Sequence, residues 1–184
     1  MVADFTLFRR RLLRNPKQVS AIAPSSRALA SAMAEGLGPD TGRVVEFGPG
    51  TGSLTRGILQ AGVAPQNLTM FELDAAFADH LSKAFPTCRL ILAGADTAAD
   101  HVAPGVGAVV SGLPLLSMPE AVCHAIVAAA FRILASGAPF IQFTYGPKPP
   151  IPAATIAALG LTVETGPKVW TNLPPARVYR FRQG

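Results

Sequence analysis

Residues 44–55 read Val-Val-Glu-Phe-Gly-Pro-Gly-Thr-Gly-Ser-Leu-Thr. Three glycines alternate at Gly48, Gly50 and Gly52, and an acid, Glu46, stands just before them. An apolar strand that runs into glycines and then into a helix places backbone N–H groups at a helix N-terminus, where glycine lets a ligand approach the main chain. Such a loop suits a dinucleotide, a nucleotide or S-adenosylmethionine. The dinucleotide fingerprint needs glycine where Ser53 stands, and the P-loop needs Gly-Lys-Ser/Thr, which is absent. A carboxylate beside the loop repels a pyrophosphate and suits a cation. S-adenosylmethionine carries both a sulfonium and an ammonium.

A second acid, Glu72, ends the next apolar run, Leu68 to Leu73. A carboxylate there can accept from both hydroxyls of a ribose. Asp74 instead suits the N-cap of a helix beginning at Ala75. The fourth apolar run ends Ser111-Gly112-Leu113-Pro114. Carbonyls and a hydroxyl at a strand end can accept the N–H bonds of a nitrogen nucleophile and aim its lone pair at a methyl donor. Tyr145 ends the fifth run and offers a hydroxyl or a ring face to an amine or a quaternary ammonium. Trp170 offers the same, although a lone Trp is more often core. His80, His101 and His124 form no triad and no metal spacing, so no metal is expected. Cys88 and Cys123 read as two buried, reduced thiols.

These groups need a scaffold. The pattern predicts a helix from Ser25 or Ser26 to about Gly36, then strands over 44–47, 68–73, 89–93, 107–111 and 139–145. Helices are predicted over 53–60, 75–84 and 120–135, and a closing strand pair over 161–169 and 176–182. Strand and helix in alternation make a parallel α/β sheet, to which the final pair adds an antiparallel edge.

A chain of 184 residues, 49% apolar and 15% charged, is one folded domain. Residues 1–40 read as N-terminal helices and 41–184 as the core. The richest apolar run, Ala121 to Ala135, carries His124 and Arg132 and is too short to span a bilayer. The basic start has no following apolar block and so does not read as a signal peptide. Net charge is +5, and Arg9, Arg10, Arg11, Arg14, Lys17 and Arg27 crowd the first 27 residues against a single acid, Asp4. That balance suggests an anionic partner. Residues 4–15 read as an amphipathic helix with Phe5, Phe8 and Leu12 on one face and Arg10, Arg11 and Arg14 on the other, the form of an interfacial membrane anchor.

The stretch Val-Val-Glu-Phe-Gly-Pro-Gly-Thr-Gly resembles the first motif of class I S-adenosylmethionine-dependent methyltransferases. The resemblance implies a Rossmann-like sandwich with a seven-stranded, mostly parallel sheet. It implies that Glu46, Gly48 and Gly50, with Thr51 and Gly52, line the methionine end of the cofactor. Glu72, with Leu73 beside it, would take the ribose. Where the family often carries an acid at the adenine amine this chain has Ala95, so either the following Asp96 substitutes or the backbone alone reads the ring. Ser111-Gly112-Leu113-Pro114 loosely resembles the strand end of nitrogen methyltransferases. Leu115 stands where the nucleic-acid enzymes carry a stacking aromatic, which speaks against a flipped base.

Four further stretches narrow the resemblance: "AIAPSS", "SGLPLL", "QFTYGP" and "VWTNLPPARVYRFR". Together they resemble the short bacterial phospholipid N-methyltransferases, which convert phosphatidylethanolamine stepwise towards phosphatidylcholine. This implies a peripheral enzyme on the inner face of the cytoplasmic membrane, bound to anionic lipid, with S-adenosylhomocysteine as product, no metal and no nucleic-acid partner. Arg177, Lys148 and Lys17 are then candidates for the headgroup phosphate. Three rivals stay open. Ribosomal RNA adenine dimethyltransferases share the Gly-Pro-Gly-Thr-Gly loop, and a non-catalytic, cofactor-binding membrane module would use the same residues. The third is methylation of a soluble small-molecule amine.

Overall fold

The computed structural model describes residues 26–184. The expected amphipathic helix, with Phe5, Phe8, Arg9, Arg10, Arg11, Leu12 and Arg14, and also Lys17, lies outside the described residues. Helix α1 spans Arg27–Met33, β1 Val44–Phe47, α2 Ser53–Gln60, β2 Leu68–Glu72, α3 Ala75–Ala84, β3 Arg89–Leu92, α4 Ala98–His101, β4 Ala108–Ser111, α5 Glu120–Ile133, β5 Phe140–Thr144, α6 Ala153–Ala158, β6 Leu161–Val169 and β7 Ala176–Gln183.

One seven-stranded sheet runs in the order β3-β2-β1-β4-β5-β7-β6. Strands β1 to β5 are parallel to one another, and β7 is antiparallel to its neighbours β5 and β6. The central strands β1, β4 and β5 are buried at every residue, as continuous apolar runs covered on both faces must be. One face packs Phe47, Phe71, Val109, Phe140 and Phe181 under α5. The other packs Val44, Met70, Val110 and Ile141 under α1 and α2, through Leu29, Met33 and Ile58. Edge strand β6 is mostly exposed, and its register shifts between Thr165 and Lys168, where Gly166 and Pro167 interrupt the ladder. A bulge and a proline are what keep an exposed edge from pairing with another chain.

The elements follow local chemistry. Ser26 caps α1 through its hydroxyl, which accepts from Leu29 N at 3.2 Å. Asp74 caps α3 by accepting from Ala76 N and Phe77 N, as expected. Helix α5 ends at Ile133, two residues before the expected Ala135. Leu134 turns extended there and bridges Val106, whose carbonyl accepts from Ala135 N at 2.8 Å. The short helices α4 and α6 carry no readable periodicity in four and six residues, and the sequence reading has no counterpart for them.

Helix α2 crosses α1 at Gly57. A Cβ there would stand 2.8 Å from the Ala30 carbonyl oxygen and 2.9 Å from the Ala30 Cβ. The obstacle includes backbone, so only separation of the helices relieves it. Gly57→Val is expected to cost about 1–3 kcal/mol and to lower the melting temperature by roughly 5 °C, measured by thermal unfolding.

Candidate functional site

The sheet order reverses between β1 and β4, and crevices at such a switch point, beyond the carboxyl ends of the strands, are where α/β sheets bind ligands. Both candidate stretches meet there. Gly48 N donates to the Phe71 carbonyl at 2.9 Å, and Gly112 N donates to the Phe47 carbonyl at 2.8 Å. Gly48, Gly50 and Gly52 all have positive φ, at 67°, 54° and 77°. Two of the three face protein. A Cβ on Gly48 would strike Leu113, and one on Gly52 would strike Phe85. A Cβ on Gly50 would meet nothing within 4 Å, so this glycine borders open space. Helix α2 begins at Gly52 with no side-chain cap. Thr51 is exposed, and its carbonyl accepts from the Arg56 guanidinium at 3.1 Å.

Glu46 is fully enclosed at the end of β1. One carboxyl oxygen accepts from the Thr55 hydroxyl at 2.7 Å, and the other has no partner among the described residues. Burial pushes the group up to about 8, the charge of Glu72 adds to this, and the Thr55 hydrogen bond opposes it. Glu72, at the end of the adjacent β2, is also buried. One of its oxygens accepts from Leu73 N at 2.8 Å and Asp74 N at 3.0 Å, and the other accepts from Gly50 N at 3.1 Å. Glu72 therefore ties the glycine loop to the next strand end. Its grip on Leu73 N also explains why β2 stops one residue before the expected Leu73.

The third acid position divides in two. The Ala95 side chain packs in the core between sheet and helices, so only its backbone remains for a ligand. Asp96 is half-buried, with its carboxylate folded back over Gly94.

At the end of β4 the Ser111 side chain is buried, and its oxygen accepts from Leu113 N at 3.3 Å, bracing its own turn. The Leu113 side chain lies against Gly48, and its carbonyl accepts from Gln142 Nε2 at 2.9 Å. Gln142 is a residue that the sequence reading missed. It lies beside Ser111 in the β4–β5 register, is buried, and its Oε1 has no partner among the described residues. A lone amide inside the apolar strand Phe-Ile-Gln-Phe-Thr was the available signal. Thr55 was missed likewise, one polar residue on the buried face of α2. Leu115 packs into the core and presents nothing to a ligand.

Tyr145 follows β5 with its ring edge-on to Phe143 at 5.4 Å, and burial raises its hydroxyl above the usual range while a hydrogen bond from Asn172 opposes the shift. Arg177 is placed near it by the pairing of Thr144 with Arg177, and Lys148 is exposed in the loop after β5. Tyr179 is structural, buried, with its hydroxyl donating to the Pro147 carbonyl at 3.4 Å. Trp170 is not core: it is 70% exposed. Among the described residues no group of three or more His, Cys, Asp or Glu is placed to hold a metal, and no helix is long and apolar enough to cross a membrane.

Comparison with known proteins gives the fold. No family model and no curated protein sequence matches the chain. Among solved structures, it is similar to a TehB-like SAM-dependent methyltransferase from Corynebacterium glutamicum, with a TM-score of 0.67 at 13% identity over 97% of this chain and 100% of that one. It is similar to magnesium protoporphyrin IX methyltransferase from Synechocystis PCC 6803, solved with bound SAM, with a TM-score of 0.60 at 14% identity over 86% and 76% of the two chains. The 23S rRNA methyltransferase ErmE gives 0.61 at 22% identity over 86% and 68%. The architecture is thus the Rossmann-like methyltransferase sandwich, with its antiparallel C-terminal strands.

The buried Glu46 makes stability depend on pH. Its folded value lies above its unfolded value of 4.5, so the folded state holds the proton more tightly. The contribution is full below pH 4.5 and is lost as pH rises through about 8. Between pH 5 and 8 the ligand-free protein is expected to lose on the order of 3 kcal/mol more stability than Glu46→Gln, as read by urea unfolding.

Proposed function

We propose that the chain is an S-adenosylmethionine-dependent N-methyltransferase acting on the phosphatidylethanolamine headgroup at a membrane surface. The observation that carries the cofactor is the pair of buried carboxyl groups at the ends of β1 and β2, with an oxygen of Glu46 unpartnered and Gly50 bordering open space. The charge of Glu72 adds to the burial that makes Glu46 hard to ionise, and a cation beside Glu46 relieves it. The residues present therefore fit this cofactor. Glu46 and the glycine loop would hold its cationic methionine end. Glu72, fixed by Gly50, Leu73 and Asp74, would hold its ribose.

The cofactor, when bound, supplies an electrophilic methyl group on a sulfonium. The chain does the rest by orientation. The Leu113 carbonyl is taken up by Gln142 Nε2 and Leu115 N, each at 2.9 Å, so the unpartnered Gln142 Oε1 beside Ser111 is the acceptor left for a substrate. Acceptors of this kind direct an amine so that its lone pair lines up for direct displacement. Tyr145 offers a ring and a hydroxyl at the same strand ends, and its ring favours the growing positive character of a methylated nitrogen.

The lipid substrate is supported by the resemblance of "APSS" and "NLPPARVYRFR" to the phospholipid enzymes, and these two stretches touch. Ser26 N donates to Asn172 Oδ1 at 3.0 Å across 146 positions of sequence. The likeness to an rRNA methyltransferase keeps RNA adenine as the second reading.

Labelled S-adenosylmethionine incubated with phosphatidylethanolamine vesicles containing phosphatidylglycerol, and in parallel with ribosomal RNA, separates the two. Label is expected in the lipid. Label in RNA alone would move the second reading to first place. Glu72→Gln is expected to raise the cofactor Kd about tenfold by calorimetry, the worth of one hydrogen bond to a charged acceptor. An unchanged Kd would remove Glu72 from the cofactor site.

A further inference from the structure

The exposed apolar side chains are not scattered. Among the described residues the large ones are Leu92, Leu116, Tyr145, Val163, Trp170 and Leu173. All but Val163 sit at one edge of the sheet, where the parallel strands end. Leu92 closes β3, Leu116 follows β4, Tyr145 follows β5, and Trp170 and Leu173 form the tip between β6 and β7. The tip is the most exposed, with Leu173 at 83% and Trp170 at 70%.

This tip is held out from the body by buried polar anchorage. Asn172, between the two apolar residues, is only 4% exposed. Its side chain donates to the Pro174 carbonyl at 2.8 Å and accepts from Ser26 N at 3.0 Å. Pro174 and Pro175 stiffen the return into β7. The bracing presents Trp170 and Leu173 on either side of a buried Asn172, so little backbone ordering is left for docking.

The charge around it has one sign. From residue 121 to 184 the only acid is Glu164, against Arg132, Lys148, Lys168, Arg177, Arg180 and Arg182. Glu164 is already bound to Arg182 at 2.8 Å, and Arg180 reaches Glu35. Lys168, Arg177 and Lys148 are left at the strand-end side, none in an ion pair among the described residues. Lys168 Nζ sits 3.8 Å from the Trp170 ring centroid.

We infer that the β6–β7 tip is a membrane wedge: Trp170 and Leu173 enter the headgroup region of an anionic bilayer while Lys168, Arg177 and Lys148 face its phosphates. An indole sits well at a membrane–water interface, an aliphatic side chain below it, and cations near an anionic surface add to the attraction. The choice of a lipid occupant rests on the phospholipid reading above, whereas the exposed tip does not. The wedge is distinct from the expected helix over residues 4–15, and it places the crevice at the strand ends towards the bilayer.

Trp170 is the only tryptophan, so the unmodified full chain carries its own reporter. Tryptophan emission is recorded with vesicles of phosphatidylethanolamine and phosphatidylglycerol, with phosphatidylcholine vesicles, and with brominated lipid as a depth quencher. The wedge predicts a blue shift and bromolipid quenching with the anionic vesicles, both weakened by salt. Leu173→Ser, at a site too exposed to unfold the protein, is expected to weaken vesicle partition about tenfold, in line with the loss of one buried aliphatic side chain. Co-sedimentation with vesicles but no shift or quenching would overturn the wedge, as would emission already blue without lipid, which would mean that chain or a protein partner covers the tip. Methyl transfer to phosphatidylethanolamine in detergent micelles tests the enzyme reading separately. Transfer without tryptophan insertion rejects the wedge alone, and insertion without any lipid methylation rejects the substrate alone.

Discussion

The site depends on a backbone constraint at the point where β1 and β4 part. After Phe47 the chain must leave the sheet and still satisfy the strand ends on both sides. It does so with two backbone hydrogen bonds, Gly48 N–H donating to the Phe71 carbonyl and Gly112 N–H to the Phe47 carbonyl. Gly48 needs left-handed backbone, which an L side chain reaches only with strain. The neighbouring main chain leaves no room at Gly112 either, since a Cβ there would meet the Gly48 carbonyl oxygen at 2.9 Å. From this knot follow the open flank at Gly50, the uncapped start of α2 and the inward placement of Leu113.

Electrostatics then selects what fills the crevice. Glu46 and Glu72 end adjacent strands, and burial of the first in low-dielectric surroundings favours its neutral form. The two acids are not equivalent. Glu72 accepts three backbone N–H bonds, which fix its side chain in place, whereas Glu46 accepts one hydroxyl and keeps an oxygen unpartnered. The first is a fixed acceptor; the second is a group waiting for a donor. A cationic ligand offers the charge and the N–H bonds together, which an anionic phosphate cannot.

Much of this was legible in the sequence, for identifiable reasons. Buried parallel strands are written as continuous apolar runs, so β1, β2 and β4 appear within a residue of their true bounds. Caps are local chemistry, and Ser26 and Asp74 do what their types and positions imply. Helices α4 and α6 were illegible because one or two turns hold no periodicity, and Trp170 because composition favours burial for a lone indole. Gln142 and Thr55 were hidden for a different reason. Each matters through a partner distant in sequence, Leu113 for one and Glu46 for the other, and only the fold brings those pairs together.

The contact between Ser26 and Asn172 has the same character and a larger consequence. It joins the start of α1 to the β6–β7 tip, so Ser26 lies at the strand-end edge of the sheet. That edge also carries the glycine loop, the β4 turn, Tyr145 and most of the exposed apolar side chains. A ligand that is part water-soluble headgroup and part bilayer can reach a crevice only if the crevice and the apolar surface share one side of the molecule. In this sheet they do, because parallel strands put the loops that follow them at their carboxyl ends and the antiparallel β7 returns its hairpin to the same end. Topology alone thus puts the crevice and the β6–β7 tip on one side, and the sequence places Trp170, Leu173 and the nearby cations on that tip.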